Sequence, residues 1–153
     1  MMKFIIDNML GKSAKYLRML GYDALYPPPN DQQELINKAV QENRYIITRS
    51  SKLYQKASSQ TKILLLSSND FITRFQKISE EFNLQIEGDK IFSRCLQCNS
   101  FLQNVKKSKI EDRLPQKVKS NFDNFNWCPT CDKIYWNGGH TERMLNKVKS
   151  IIK

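Results

Sequence analysis

The chain has 153 residues, of which 25 are Lys or Arg and 15 are Asp or Glu, so its formal net charge at pH 7 is +10. This length supports one domain with a buried core and a small appendage, and it excludes two large domains. The longest apolar run, residues 63–66, is far too short to cross a bilayer. Nucleic acid is the commonest partner of so basic a chain, ahead of membrane surfaces and acidic proteins.

The basic excess lies mostly in the C-terminal third of the chain. Residues 1–90 hold 13 basic and 10 acidic side chains, whereas residues 91–153 hold 12 and 5 and so carry +7 of the net charge. All four cysteines lie in this second segment. No signal peptide is recognisable, so we expect a cytoplasmic, reducing location and cysteines without disulfide bonds. We predict two domains, 1–90 and 91–153.

The first domain begins with two short apolar runs separated by a helix. Residues 3–6 predict a buried strand, and residues 22–26 predict a second strand, closed by prolines that cannot continue a ladder. The helix between them stops at Gly21. Its inward positions recur at helical spacing and are Leu10, Ala14, Leu17 and Leu20.

The same alternation continues to residue 90. Residues 45–48 and 63–66 predict two further strands, and residues 50–57 between them predict a short helix. Asp31 fits the N-cap of a second helix, and Asp70 fits the N-cap of a last helix. The inward positions of the two capped helices are Leu35, Ile36, Ala39, Val40, Phe71, Phe75 and Ile78. This rhythm predicts an α/β fold, a mostly parallel sheet with helices on both sides.

Polar residues follow the predicted strands, where the carboxyl ends of a parallel sheet form a ligand-binding edge. Asp7 comes directly after the first strand and is the best candidate for a metal-binding acid, because Mg²⁺ needs only one or two carboxylates plus water. Its alternative role is a helix cap. Asp31 and Asp70 are weaker candidates, since an N-cap explains each of them nearly as well.

Three basic residues of the first domain are candidates for contact with a phosphate backbone. Arg49 follows the third strand and can hold a phosphate or form a surface ion pair. Lys12 and Arg18 lie on the side of the first helix that faces away from its apolar positions. They can line a route for the backbone, or they can belong to an ordinary solvated face.

The cysteines form two CxxC pairs, Cys95 with Cys98 and Cys128 with Cys131. Each pair can present two sulfurs from one tight turn, and two such turns complete the tetrahedron that Zn²⁺ prefers. The alternative is a set of unligated buried thiols, which would have to form two matched pairs by chance. Four sulfurs leave no open coordination position, so the pattern predicts a structural zinc ribbon.

The predicted ribbon carries basic residues interleaved with aromatic ones. Such a surface suits phosphate attraction combined with base stacking. The alternative is a solvated face with the aromatic side chains packed against the ribbon. The residues that we predict to bind substrate here are Lys106, Lys107, Tyr135, Trp136 and His140.

Motifs spread over nearly the whole chain match one family in the right order. They are FIIDNMLGK (4–12), LRMLGYD (17–23), RYIITR (44–49), RCLQCN (94–99) and CPTCDKIYW (128–136). Together they resemble the Mut-seven C-terminal RNase domain, a PIN-like fold fused to a zinc ribbon. The resemblance implies an α/β nuclease domain whose acids bind Mg²⁺ or Mn²⁺, with RNA as the substrate.

The resemblance transfers some site residues and not others. Asp7 carries over as a metal-binding acid, and Asp31 matches the acid that opens the second helix. Where the family pattern reads Thr-Arg-Asp, this chain reads Thr-Arg-Ser, with Ser50 in the acidic position. A serine hydroxyl is neutral and a poor Mg²⁺ ligand. Asp70, on the same predicted edge, is the candidate to compensate.

Our leading hypothesis is a metal-dependent ribonuclease that hydrolyses RNA phosphodiester bonds through Asp7, Asp31 and Asp70, with the ribbon gripping the RNA. One alternative is an RNA-binding protein that has lost catalysis at Ser50. Another is a zinc-ribbon adaptor that contacts protein or DNA. PIN-like domains often dimerise, so the resemblance also raises a homodimer, and the sequence identifies no protein partner.

Overall fold

The computed structural model describes residues 1–152 and contains a four-stranded parallel sheet in the order β2-β1-β3-β4. Its strands are β1 (Lys3–Ile6), β2 (Asp23–Leu25), β3 (Tyr45–Thr48) and β4 (Ile63–Leu65). The helices that connect and follow them are α1 (Gly11–Met19), α2 (Gln32–Glu42), α3 (Ser51–Ala57) and α4 (Phe71–Phe82). The predicted α/β fold is confirmed.

Alternate residues of the central strands enter two separate cores. Phe4 and Ile6 pack on one face of the sheet with residues of α1 and α4, whereas Ile5 packs on the other face with residues of α2 and α3. Strands covered on both faces are apolar throughout, which is why these runs do not alternate in polarity. One expected inward position is wrong: Val40 is 51% exposed, because α2 turns its Leu35–Ile36–Ala39 side toward the sheet.

The C-terminal segment forms a second, antiparallel sheet in the order β5-β6-β7. Its strands are β5 (Gln103–Val105), β6 (Phe125–Trp127) and β7 (Ile134–Tyr135), and two short helices, α5 (Lys107–Ile110) and α6 (Gln116–Asn121), lie between the first two strands. The four cysteines cluster beside this sheet. The arrangement fits the predicted zinc ribbon.

The last helix, α7 (Gly139–Ile151), returns from the ribbon to the first sheet. Its Met144, Val148 and Ile151 are buried in the same core as Phe4 and the apolar side of α1. The division into 1–90 and 91–153 stays a prediction. The core of the first sheet includes residues from both of these segments. Within residues 1–152, no helix combines the length and the apolar character needed to cross a membrane.

A tight approach at Gly21 joins α1 to the chain that leads into the ribbon. Gly21 has a φ of +95°, and a Cβ added there would lie 2.6 Å from the carbonyl oxygen of Lys90. Only glycine fits both the left-handed conformation and this contact. The predicted helix stop therefore also packs closely against the segment that precedes the ribbon.

Candidate functional site

The candidate acids follow different strands of the parallel sheet. Asp31 comes after β2, Asp7 after β1 and Asp70 after β4, so in sheet order they are spread from one outer strand to the other. Neighbouring strands lie about 4.8 Å apart, which separates the ends of β2 and β4 by roughly 14 Å. Among residues 1–152, no three acidic side chains come close enough together to hold one metal ion.

Asp7 is the acid that the fold fixes most firmly at the centre of this edge. Its Oδ2 accepts a hydrogen bond of 2.5 Å from the Thr48 hydroxyl, and its Oδ1 accepts one of 2.8 Å from the backbone N–H of Asn8. The Thr48 hydroxyl oxygen in turn accepts the backbone N–H of Ser50 at 3.0 Å. Thr48 is fully buried, so it can hold Asp7 in one orientation.

Asp31, Ser50 and Asp70 each cap a helix. The Asp31 carboxylate accepts the N–H of Glu34, and the Ser50 hydroxyl accepts the N–H of Leu53. Asp70 Oδ2 accepts both the N–H and the hydroxyl of Thr73, at 3.0 and 2.9 Å. These two bonds, with the charge of Arg74, hold the pKa of Asp70 below its usual value. Each of the three side chains therefore accepts a backbone N–H that would otherwise have no partner in the first turn of its helix.

The donors around Asp7 are one carboxylate and the hydroxyls of Thr48 and Ser50. Oxygen donors are the type that Mg²⁺ prefers, and the ion usually keeps several waters besides one or two carboxylates. Each oxygen of the Asp7 carboxylate retains a lone pair beyond the hydrogen bond it accepts. The oxygen donors at Asp7 are therefore of the type that would hold a sparsely ligated Mg²⁺ or Mn²⁺.

Arg49 and Lys12 both lie close to this carboxyl edge. The Arg49 guanidinium donates to the side-chain oxygen of Asn69 in the loop after β4. Lys12 is exposed in the first turn of α1, and its Nζ lies 4.5 Å from the centre of the Phe71 ring. Both cations are therefore near the chain segments that carry Asp7 and Asp70.

Arg18 does not join this group, because its side chain points into the protein. It is 3% exposed, and its guanidinium donates to four carbonyl oxygens: Ala24 at 2.9 Å, Tyr26 at 2.8 Å, Leu96 at 3.0 Å and Gln97 at 3.1 Å. The first two belong to β2 and its end, and the last two lie between Cys95 and Cys98. Arg18 therefore joins the first CxxC turn to the parallel sheet and has no surface left for RNA.

The four cysteine sulfurs converge on one point. All four Sγ atoms lie within 4.8 Å of one another, with Cys95 and Cys131 at 3.4 Å and Cys98 and Cys128 at 3.4 Å. A disulfide needs about 2.05 Å, whereas four sulfurs at 2.3 Å from Zn²⁺ stand about 3.8 Å apart. The four-cysteine cluster can thus bind zinc, and the cysteines are not paired as disulfides.

The surroundings of the cluster place a hydrogen-bonding hydroxyl beside one sulfur and oppose the ionisation of another. The Tyr135 hydroxyl lies 3.0 Å from Cys95 Sγ and accepts the backbone N–H of Leu96 at 3.1 Å. Burial, together with the other cysteines, raises the pKa of Cys131 to about 12. Because four thiolates repel each other in so small a space, a bound cation is what would allow them to coexist.

The structure separates the predicted RNA-binding residues of the ribbon. Lys106 and His140 are exposed, whereas Lys107 is 25% exposed and pairs with Asp123 at 3.2 Å. Tyr135 and Trp136 are half-buried and line an inner cavity of about 160 Å³. The alternative described above, aromatic side chains packed against the ribbon, therefore fits Tyr135 and Trp136 better than base stacking does.

Trp127, which the sequence analysis did not select, lies in an open groove of about 560 Å³ on the ribbon. Its Nε1 donates to Asp132 Oδ1 at 2.6 Å, and Arg113 donates to the same oxygen at 3.0 Å. Lys106 and Lys109 also line the groove. Trp127 directly precedes Cys128, and the alternation of side chains along β6 is the sequence signal that separates the two.

Comparison with known proteins gives a consistent result. The family model of the Mut7-C RNAse domain matches residues 2–148, nearly all of the chain. The protein named Exonuclease mut-7 homolog, from Homo sapiens, is 32% identical over 102 residues, which are 63% of this chain and 12% of that protein. The chain thus spans a small part of the length of that relative. The parallel sheet, the cysteine cluster and the extent of the family match together lead to one conclusion: the chain belongs to the Mut7-C RNAse domain family.

Proposed function

We propose that this protein is a metal-dependent ribonuclease that hydrolyses RNA phosphodiester bonds at the carboxyl edge of its parallel sheet. The observation that carries the proposal is the half-buried Asp7 carboxylate, which a buried threonine and a backbone N–H hold at the end of β1. Unlike Asp31 and Asp70, Asp7 caps no helix. Membership of an RNase domain family supports the same role.

In this proposal Asp7 holds Mg²⁺ or Mn²⁺, and Asp31 is the second acid. Asp31 follows β2, which adjoins β1, whereas Asp70 follows β4, two strands away on the other side. The ion, when bound, supplies positive charge at the phosphate and lowers the pKa of a bound water. Thr48 keeps Asp7 oriented, and the backbone N–H of Ser50 keeps Thr48 oriented.

The ribbon supplies RNA binding away from the reacting phosphate. A structural Zn²⁺ held by the four cysteines maintains the surface on which Trp127 and its groove lie. The Trp127 indole, fixed through Asp132, offers a face for a base, and Lys106 and Lys109 stand beside it for the backbone phosphates. Of the residues predicted for this surface, Lys106 is the one that lines the groove.

One observation favours a second candidate, an RNA-binding protein with little or no catalysis. The Ser50 hydroxyl accepts the N–H of Leu53 as the cap of α3, and it stands where the family pattern has an acid. The strand order places residue 50 beside Asp7, since β3 adjoins β1. The site thus lacks a carboxylate at position 50, beside the Asp7 carboxylate that it retains.

The first test is Asp7→Asn, assayed on single-stranded RNA with Mg²⁺ or Mn²⁺ and again with EDTA. Losing the charge that holds the ion should lower the cleavage rate by about 100-fold or more. Asp89→Asn is the matched control, because Asp89 is exposed and lies away from the carboxyl edge. Metal-dependent cleavage that survives Asp7→Asn would contradict the assignment of this site.

The second test, Ser50→Asp, separates the two candidates. Serine and aspartate are both good N-caps, so α3 keeps its cap and the fold is retained. If the protein is a ribonuclease, cleavage occurs in the natural chain and rises with the added carboxylate. Cleavage that appears only in Ser50→Asp, with unchanged RNA affinity, supports the second candidate. Absence of cleavage in both proteins overturns the ribonuclease proposal.

A further inference from the structure

Three helices bring positive charge to one aromatic ring beside the carboxyl edge. Phe71, the first residue of α4, is 8% exposed. The ammonium nitrogen of Lys12 on α1 lies 4.5 Å from the centre of its ring, and that of Lys147 on α7 lies 5.5 Å away. Arg74 stands one turn further along α4. The cluster therefore needs α7 to be docked on the first sheet.

These three cations have little negative charge to balance them. Among residues 1–152, none of Lys12, Arg74 and Lys147 is in a salt bridge. The charge of Asp70 acts on this cluster, but its Oδ2 is already engaged by Thr73 as the cap of α4. Burial, then the neighbouring charges of Lys147 and Arg74, lower the pKa of Lys12. A cluster of like charges of this kind favours a bound anion.

The cluster is continuous with the candidate active site. Lys12 lies in the first turn of α1, shortly after Asp7. Arg74 donates to the carbonyl oxygens of Ser68 and Asn69 at 3.4 and 3.2 Å, and Arg49 donates to the side chain of the same Asn69. Positive charge therefore extends from α7 across α1 and α4 to the end of β3, next to the end of β1.

We propose that Lys12, Arg74 and Lys147 form a phosphate-binding site that holds the RNA backbone beside Asp7. The site rests on the proposed function, and it deepens it by assigning α7 a direct part in substrate binding. The ligand is a phosphate group of RNA, either an internal phosphodiester or a terminal phosphate. Lysine ammonium groups bind phosphate as point charges, and Arg74 adds the fork-shaped donor set of a guanidinium.

The test measures the affinity of the zinc-loaded 153-residue chain for a single-stranded oligoribonucleotide at several salt concentrations. All proteins carry Asp7→Asn, so that the RNA stays intact. Lys147→Gln should lower the slope of log affinity against log salt by about 0.7, the value for one phosphate contact on a single strand. Lys149→Gln is the control, because Lys149 is exposed on the same helix and lies outside the cluster.

Two further variants guard against a folding defect. Lys147→Arg keeps the charge and should restore the slope, and Lys12→Gln, on another helix, should reproduce the loss. The oligonucleotide is used with and without a 5′-phosphate. An equal loss on both forms indicates an internal phosphodiester, and a loss confined to the phosphorylated form indicates a terminal phosphate; either supports the site.

The outcomes that contradict the two proposals are different. RNA binding with the same salt slope in Lys12→Gln, Lys147→Gln and Lys149→Gln would overturn the phosphate site and leave the proposed ribonuclease standing. Absence of salt-dependent RNA binding in the Asp7→Asn protein itself would remove the RNA-directed function, and the phosphate site with it.

Discussion

The two candidate metal sites of this protein are built in opposite ways. At the ribbon, four sulfurs from two distant turns lie within 4.8 Å of one another, an arrangement that can bind zinc. At the carboxyl edge, Asp31, Ser50 and Asp70 each cap a helix, and Asp7 is held by Thr48. A metal would therefore maintain the structure of the ribbon. At the edge, hydrogen bonds within the protein already hold the side chains, so a metal there would contribute to catalysis and not to folding.

The ribbon is nevertheless not independent of the sheet. Asn99, directly after the first CxxC pair, accepts the backbone N–H of Ala24 at 3.1 Å and donates to the Asp23 carboxylate at 2.7 Å. Both partners lie on the outer strand β2. The loss of a metal from the ribbon should therefore also destabilise the hydrogen bonds of the parallel sheet, first those at β2.

The largest expected effect is that of removing zinc with a chelator. Metal binding contributes roughly 10 kcal/mol to structural zinc sites of this kind, more than the stability of most ribbons. Hydrogen exchange should show that the amides of β6 lose protection. The N–H of Ala24 should also exchange faster, because its acceptor Asn99 is released. The central strands β1 and β3 should stay protected.

The N–H of Arg44, which donates to Ala39 at 2.8 Å within the first sheet region, is the internal control. Loss of protection at Arg44 and throughout β1 would show that the two regions unfold together. Unchanged protection at β6 would show that the cysteine cluster does not depend on a metal. Either result would break the contrast between the two sites.

The next largest effect is expected for Arg18→Gln. Glutamine cannot reach four carbonyl oxygens, and each buried acceptor left without a donor costs about 1 to 3 kcal/mol. We expect thermal unfolding to show a loss of roughly 3 kcal/mol. Lys15→Gln on the same helix should change stability little. If Arg18 instead bound RNA, as the sequence suggested, Arg18→Gln would weaken RNA binding without lowering the unfolding temperature.

The contrast between the two sites also explains what the sequence could predict. Cysteine pairs at CxxC spacing have few other roles, so the pattern alone predicted the cluster formed by Cys95 and its three partners. Aspartate has a second common role as an N-cap. Asp31 and Asp70 were recognised as caps, and nothing in one sequence determines whether a capping carboxylate also faces its neighbours across a sheet.

The remaining misses arise from long-range packing. Arg18 follows Ala14 by one helical turn and borders the buried side of α1, and its partners Leu96 and Gln97 are 78 and 79 residues away along the chain. The sequence analysis assigns the last helix to the second domain, 91–153, whereas its apolar residues pack in the core of the first sheet. The position of Lys147 near Phe71 depends on the docking of α7, which is a property of the tertiary structure.

A smaller effect, on RNA binding alone, is expected for Trp127→Ala. Stacking of a base on an aromatic side chain contributes about 1 to 3 kcal/mol. The affinity for single-stranded RNA, measured by fluorescence anisotropy, should therefore fall about 5- to 150-fold, with the cleavage rate at saturating RNA unchanged. Trp127→Phe should restore most of the affinity. An equal loss in Trp136→Ala, whose indole faces the inner cavity, would contradict the groove as the RNA contact.

The smallest effect tests the junction of the two regions through its pH dependence. Burial opposes ionisation of Asp23, but hydrogen bonds from Arg44 at 2.7 Å and from Asn99 outweigh it and lower the pKa of Asp23. A carboxyl group whose pKa is lower in the folded state stabilises the protein above its unfolded pKa of about 3.9, and this contribution is lost as the pH falls through and below that value.

Asp23→Asn should therefore cost about 1 to 2 kcal/mol in urea unfolding at pH 7, and the difference from the natural chain should shrink below about pH 4. Asp89→Asn, the exposed control, should show neither change. A cost that stays constant from pH 7 to pH 3 would mean that Asp23 joins the ribbon to the sheet through its shape and not through its charge.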